Sequence, residues 1–81
     1  MNLQGKTVRY NLPEGKRYLN NHQATCPAIV VTDWGHEGNE PIEKRLLNLK
    51  ILLDSTEIDW DTSVCHASVI EAGASWQLYA D

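Results

Sequence analysis

The chain has 81 residues, 42% of them hydrophobic and 22% charged, with seven Lys and Arg against eleven Asp and Glu for a formal net charge of −4. That length predicts one small domain, residues 1–81, with a thin core, because a chain of this size buries only about 60–65% of its unfolded surface. The composition is that of a folded chain rather than a disordered one. No apolar run approaches the roughly 20 residues that span a bilayer, and an acidic balance disfavours nonspecific nucleic-acid binding.

Along the chain, "KTVRYNL" (6–12) reads as a short strand of β-branched and aromatic residues ended by Pro13. "PEGKRYLNNHQATC" (13–26) is rich in Gly, Asn and charge and reads as a long loop. "PAIVVTDW" (27–34) is the clearest strand. Ala28, Val30, Thr32 and Trp34 alternate onto one face, Ile29, Val31 and Asp33 onto the other, and the apolar start on both faces predicts a place in the middle of a sheet. "GHEGNEP", with two glycines and a proline, begins a second long loop over 35–45.

The next segment has two readings. Asn39 as N-cap, Pro41 in the first turn, and Ile42, Leu46, Leu49 and Leu53 on one stripe describe a helix. Leu47, Leu49, Ile51 and Leu53 alternating with Asn48, Lys50, Leu52 and Asp54 describe a strand. Asp54-Ser55 reads as a turn with a further alternating run behind it, which is the pattern of a hairpin and tips the residues towards a strand. "DTSVCHA" (61–67) and "SWQLYA" (75–80) read as further strands, with Gly73 at a turn between them. The expected fold is therefore all-β, with about five strands in one small domain.

Charge is unevenly spread. Residues 1–50 hold every Lys and Arg against five acids, a balance of +2, while residues 51–81 hold six acids and no Lys or Arg. Lys6, Arg9, Lys16 and Arg17 either hold a small anion or are solvated loop charges. "MNLQGKTVRYNL" has no apolar signal region, so a cytoplasmic location is expected.

Chemistry finds few candidates. Cys26 and Cys65 are too few for a disulfide scaffold and read as buried thiols. His22, Cys26, Cys65 and His66 form a poor metal set, since no C-x2-C pair exists and adjacent strand residues point to opposite faces. In "WDTSVCHAS" strict alternation groups Thr62, Val64 and His66 against Asp61, Ser63, Cys65 and Ala67, so His66 points away from Cys65. Without a nucleophile, base and stabiliser set, neither catalytic residues nor a cofactor is expected, and Glu57, Asp59 and Asp61 read as a wet face or an edge guard.

The order "PAIVVTDWG", "LLNLKILLD", "WDTSV", "GASWQL" resembles a group of small phage-encoded proteins. The resemblance covers residues 27 to about 77. It departs at the insertion-like "GHEGNEPIEKR" and at "SWQLYAD", which lacks the Trp-Pro often seen after that final tryptophan. It implies a strongly bent sheet or SH3-like β-barrel, similar also to Tudor-like folds, and strand for residues 46–54. It also implies a phage accessory role in the host-cell cytoplasm, most simply the blocking of a host defence component by stoichiometric binding of a partner protein or a nucleotide-like signal.

The aromatic residues carry the binding expectation. Trp34, Trp60 and Trp76 stand at strand ends, Tyr10, Tyr18 and Tyr79 add three rings, and there is no Phe. Either the tryptophans close one end of a thin core, or they line an aromatic groove for a base, a peptide or a partner side chain. Trp34, Trp60, Trp76, Tyr10, Arg9 and Arg17 are the candidate contact residues. The competing class is a virion-associated or structural interaction module. Leu46 and Leu52, opposite the apolar stripe, either pack against a second copy in a homo-oligomer or are covered within one chain.

Overall fold

A computed structural model describes residues 1–54 and 58–79. Five strands make one antiparallel sheet: β1 Thr7–Asn11, β2 Thr25–Asp33, β3 Leu47–Leu52, β4 Ile58–Val64 and β5 Ser75–Gln77. Their order in space is β4-β3-β2-β1-β5. The first four form a meander, and β5 returns to the free side of β1. The fold is the small all-β one expected from the sequence.

The sheet curls into a half-barrel. Just past β4, the Cys65 carbonyl accepts the Trp76 N–H of β5 at 3.1 Å, and His66 bridges to Trp76 in parallel. The two outermost strands thus meet through the residues that follow β4. A short 3₁₀ turn, Ala67–Val69, lies in the connection between them.

The alternation in β3 decides the ambiguous segment. Leu47, Leu49 and Ile51 are buried while Asn48, Lys50 and Leu52 are half-buried, a period of two. Helical geometry is confined to the 3₁₀ turn Ile42–Lys44, which occupies part of the expected loop at 35–45. The other expected loop, 13–26, also holds structure, a 3₁₀ helix over Glu14–Asn20. Its buried Asn20 is the anchor: Nδ2 donates to the carbonyls of Gln23 and Thr25, and Oδ1 accepts the Asp54 N–H at 2.7 Å. Those bonds tie the helix to the start of β2 and to the residues just after β3, so Asn-rich sequence here is packed structure rather than open loop.

Strand limits also move. β2 begins at Thr25 and runs through Pro27, which pairs with Arg9 of β1. Pairing with β3 starts only at Ala28, so the missing proline N–H falls at the end of that ladder. β4 starts three residues earlier than read, and β5 ends at Gln77. The expected turn residue Ser55, the edge acid Glu57 and Ala80 lie outside the described residues.

Two bulges overturn the strict alternation. Val30 pairs with Leu49 but Thr32 with Asn48, so Val31 is the extra residue and Asp33, not Thr32, turns inward. On β4, Asp61 pairs with Leu49 and Val64 with Leu47, three residues against two, with Ser63 at φ 52°. Asp61 and Val64 therefore share the inner face rather than opposing ones. The inner face holds Val8, Tyr10, Cys26, Ala28, Val30, Leu47, Leu49, Ile51, Val64 and Trp76, with Leu3 and Leu12 closing it.

A buried ion pair fixes the loop at 35–45. Asp33 lies at the end of β2 and accepts Arg45 Nη1 at 2.8 Å, with both side chains at most 2% exposed. Arg45 Nε donates to the Glu40 carbonyl, Nη1 also to the Met1 carbonyl, and the Arg45 carbonyl accepts the Trp76 indole N–H at 3.2 Å. Burial alone pushes the Asp33 carboxyl up. The N–H groups of Leu3 and Gly35 and the Arg45 guanidinium outweigh that and hold it below its ordinary value.

Candidate functional site

The three tryptophans do not form one cluster. Trp76 is wholly buried in the core and stacks edge-to-face with His66, the ring centroids 4.7 Å apart and the planes at 86°. Tyr10 is also core. It sits between Cys26 of β2 and Trp76 of β5, and its hydroxyl donates to Asp61 Oδ2 at 2.8 Å. Of the candidate contact residues, Trp76 and Tyr10 are thus structural, and the aromatic groove expected at one end of the barrel is filled by packing.

Trp34 and Trp60 are different: they stand 62% and 59% exposed on the outer face of the sheet. Their placement follows from register. Lys50 of β3 is opposite Ile29 on one side and Trp60 on the other, and its Nζ lies 5.3 Å from the Trp60 ring centroid. Two residues back along β3, Asn48 Oδ1 accepts the Trp34 indole N–H at 3.0 Å and the Ser63 N–H at 2.9 Å. One amide oxygen therefore holds both the Trp34 ring and the β4 bulge. Around them lie Ile29, Val31, Leu46 and Ile58, all exposed, with Leu52 between. Side chains of β2, β3 and β4 make an apolar surface interrupted by Thr32, Asn48, Lys50 and Thr62, a contiguous patch rather than scattered exposure.

Arg9 of β1 stands beside Pro27 at the margin of this face, and Arg17 lies elsewhere. The Arg9 guanidinium is 5.0 Å from the Tyr79 ring centroid. Arg17 donates from Nε to the Leu12 carbonyl at 3.4 Å and lines a cleft of about 430 Å³ whose other charged residues are Glu14 and Glu71. Two carboxylates beside one guanidinium do not make an anion site. Lys6 and Lys16 are solvent-exposed, as the alternative reading of solvated charges has them.

The titratable groups of the inner face are poorly suited to nucleophilic chemistry. Burial pushes the Cys26 thiol up to about 11, so it stays protonated at neutral pH. Burial, the Asp61 hydrogen bond and the charges of Asp61 and Asp59 push Tyr10 well above its ordinary value, which keeps the phenol neutral and donating. Cys65 is half-buried after β4, while His22 stands in the turn before β2. Among the described residues no three His, Cys, Asp or Glu converge as a metal site, and no helix is long and apolar enough to cross a membrane.

No protein-family model matches the chain, and no curated protein or solved structure is similar to it. The outer face therefore has to be read from its own geometry. Sequence reasoning found Trp34 and Trp60 but missed Ile29, Val31, Asn48, Lys50 and Ile58 as their neighbours. A signal was present: an apolar residue at every second position on both faces of β2 leaves one apolar face without a core to enter.

Proposed function

We propose that the protein is a non-catalytic binding module that works by stoichiometric contact with a partner protein, using the outer face of β2, β3 and β4 as its association surface. The observation that carries this reading is the pair of tryptophans about 60% exposed on one face of a hydrogen-bonded sheet, flanked by exposed Ile29, Val31 and Ile58. Tryptophan is enriched among residues that dominate binding energy, and a fixed sheet loses little entropy when it docks. The raised Cys26 thiol and the neutral Tyr10 phenol fit a scaffold better than a reaction centre. In the phage setting suggested by the sequence resemblance, the partner is a host component that the module blocks, acting in the host-cell cytoplasm.

A nucleotide-like signal is the less favoured ligand. Small-molecule sites are concave, whereas neither larger cleft is lined by Trp34 or Trp60. A virion-associated role remains the second reading, supported by the same exposed face. The test is quantitative affinity capture from phage-infected cells with the wild-type chain and a Trp34→Ala/Trp60→Ala variant. A host protein held in equimolar amount by the first and lost by the second is expected. A virion protein in its place favours the structural role, and equal capture by both chains refutes the face as the contact surface.

A further inference from the structure

The outer face carries its own indication of what covers it. Ile29, Val31, Trp34, Leu46, Ile58 and Trp60 are 36, 38, 62, 40, 54 and 59% exposed. With Pro27, Leu52 and Lys50 they present roughly 700–800 Å² of surface, close to the 800 Å² or so that each partner gives to a stable interface. A chain of 81 residues with a thin core has little reason to leave that much apolar area in water.

Charge is consistent with the same occupant. The chain carries −4 overall, yet among the described strand residues no carboxylate is turned to this face. Asp33 is buried in the ion pair with Arg45, and Asp59 and Asp61 pair with Ile51 and Leu49 on the inner side. Lys50, the cation within the face, is drawn over the Trp60 ring, where the indole offsets part of its charge. Two acidic chains can meet here without setting carboxylate against carboxylate.

We infer that two copies of the chain pack outer face to outer face as a two-fold dimer, with Trp34 and Trp60 of each at its centre. This rests on the reading of that face as the association surface. The partner protein then competes with the second copy for it.

Analytical ultracentrifugation of the full chain over the micromolar range tests the inference. The wild type is expected at twice the 9.2 kDa chain mass. Trp34→Glu/Trp60→Glu is expected to weaken the dimer by on the order of a hundredfold, because charge replaces two central anchors. Ile58→Lys, at an exposed position clear of the core, serves as an independent second variant, and near-UV circular dichroism reports that each fold is intact. A monomeric wild type overturns the dimer while leaving the face open to a foreign partner. A dimer that withstands both variants overturns it by placing self-association on another surface.

Discussion

The Tyr10 hydroxyl donates to the Asp61 carboxylate at 2.8 Å, joining β1 to β4 across the hollow of the half-barrel although two strands separate them in the sheet. Asp61 Oδ1 also accepts the Thr62 N–H at 2.9 Å, so the carboxylate is fixed from both sides. This bond adds to the Cys65–Trp76 contact in holding the curled sheet closed. Tyr10→Phe removes the donor without removing the ring. We expect a loss of about 1–2 kcal/mol in urea denaturation with an unchanged fold.

The same phenol sets the alkaline limit. Tyr10 and Cys26 both have folded values raised above their unfolded ones. Their stabilising contribution is complete below the unfolded values. It is lost as pH rises, from about 9 towards 11 for the thiol and from about 10 upward for the phenol. Stability followed by denaturant titration should therefore fall above about pH 9, and Tyr10→Phe should flatten the upper part of that decline.

Asp33 and Arg45 give the opposite sign. The Asp33 carboxyl is held below its unfolded value, so its contribution is present above about pH 4 and is lost as pH falls through the folded value. Arg45→Met leaves Asp33 as a buried, unpaired carboxylate. A cost of about 3–5 kcal/mol is expected at pH 7, smaller at pH 3 where protonating Asp33 relieves it. Arg45→Met/Asp33→Asn should recover part of the loss, and thermal melts of the wild type, Arg45→Met, Asp33→Asn and the double variant measure the coupling.

Gly35 is required by the same pair. A Cβ there would lie 2.6 Å from Arg45 Cγ, in a stem held at its far end by Asp33 and the Met1 carbonyl. Gly35→Ala should cost about 1–3 kcal/mol, as overpacking does where the neighbour cannot yield. The change is read by chemical denaturation.

The tryptophans should separate by solvent exposure. Trp34→Ala and Trp60→Ala each remove an indole that is exposed in the single chain and should change the stability of the monomer by no more than about 1 kcal/mol. Trp76→Ala should cost about 3–5 kcal/mol. Iodide should quench little of the emission of the Trp34→Ala/Trp60→Ala chain, which comes from Trp76 alone, and the extra quenching of the wild type should rise as dilution separates the dimer and uncovers Trp34 and Trp60.

The all-β class was legible because the turn at Asp54-Ser55 and the alternating run behind it chose the strand reading for Leu47, Leu49 and Ile51, residues whose spacing by itself also fitted a helical stripe. The central place of β2 was legible too, from apolar residues on both of its faces. What lay beyond reach was phase. One extra residue at Val31 and another near Ser63 each reverse the faces of everything that follows in the strand. Asp33 is thereby brought inward to meet Arg45, and Val64 to join Asp61 on the inner face. A bulge has no compositional signal here, since Ser63 takes a positive φ that sequence would assign to glycine or asparagine.

The sequence alone thus determined that this chain is one small β domain with a thin core, and that Trp34 and Trp60 are worth watching. Those properties depend on local spacing and composition, which survive in a one-dimensional string. Only the tertiary structure decided that Trp76 and Tyr10 belong to the core while Trp34 and Trp60 flank Asn48 and Lys50 outside it. Which side of a sheet a residue occupies depends on register between strands far apart in the chain, and register is settled by three-dimensional pairing.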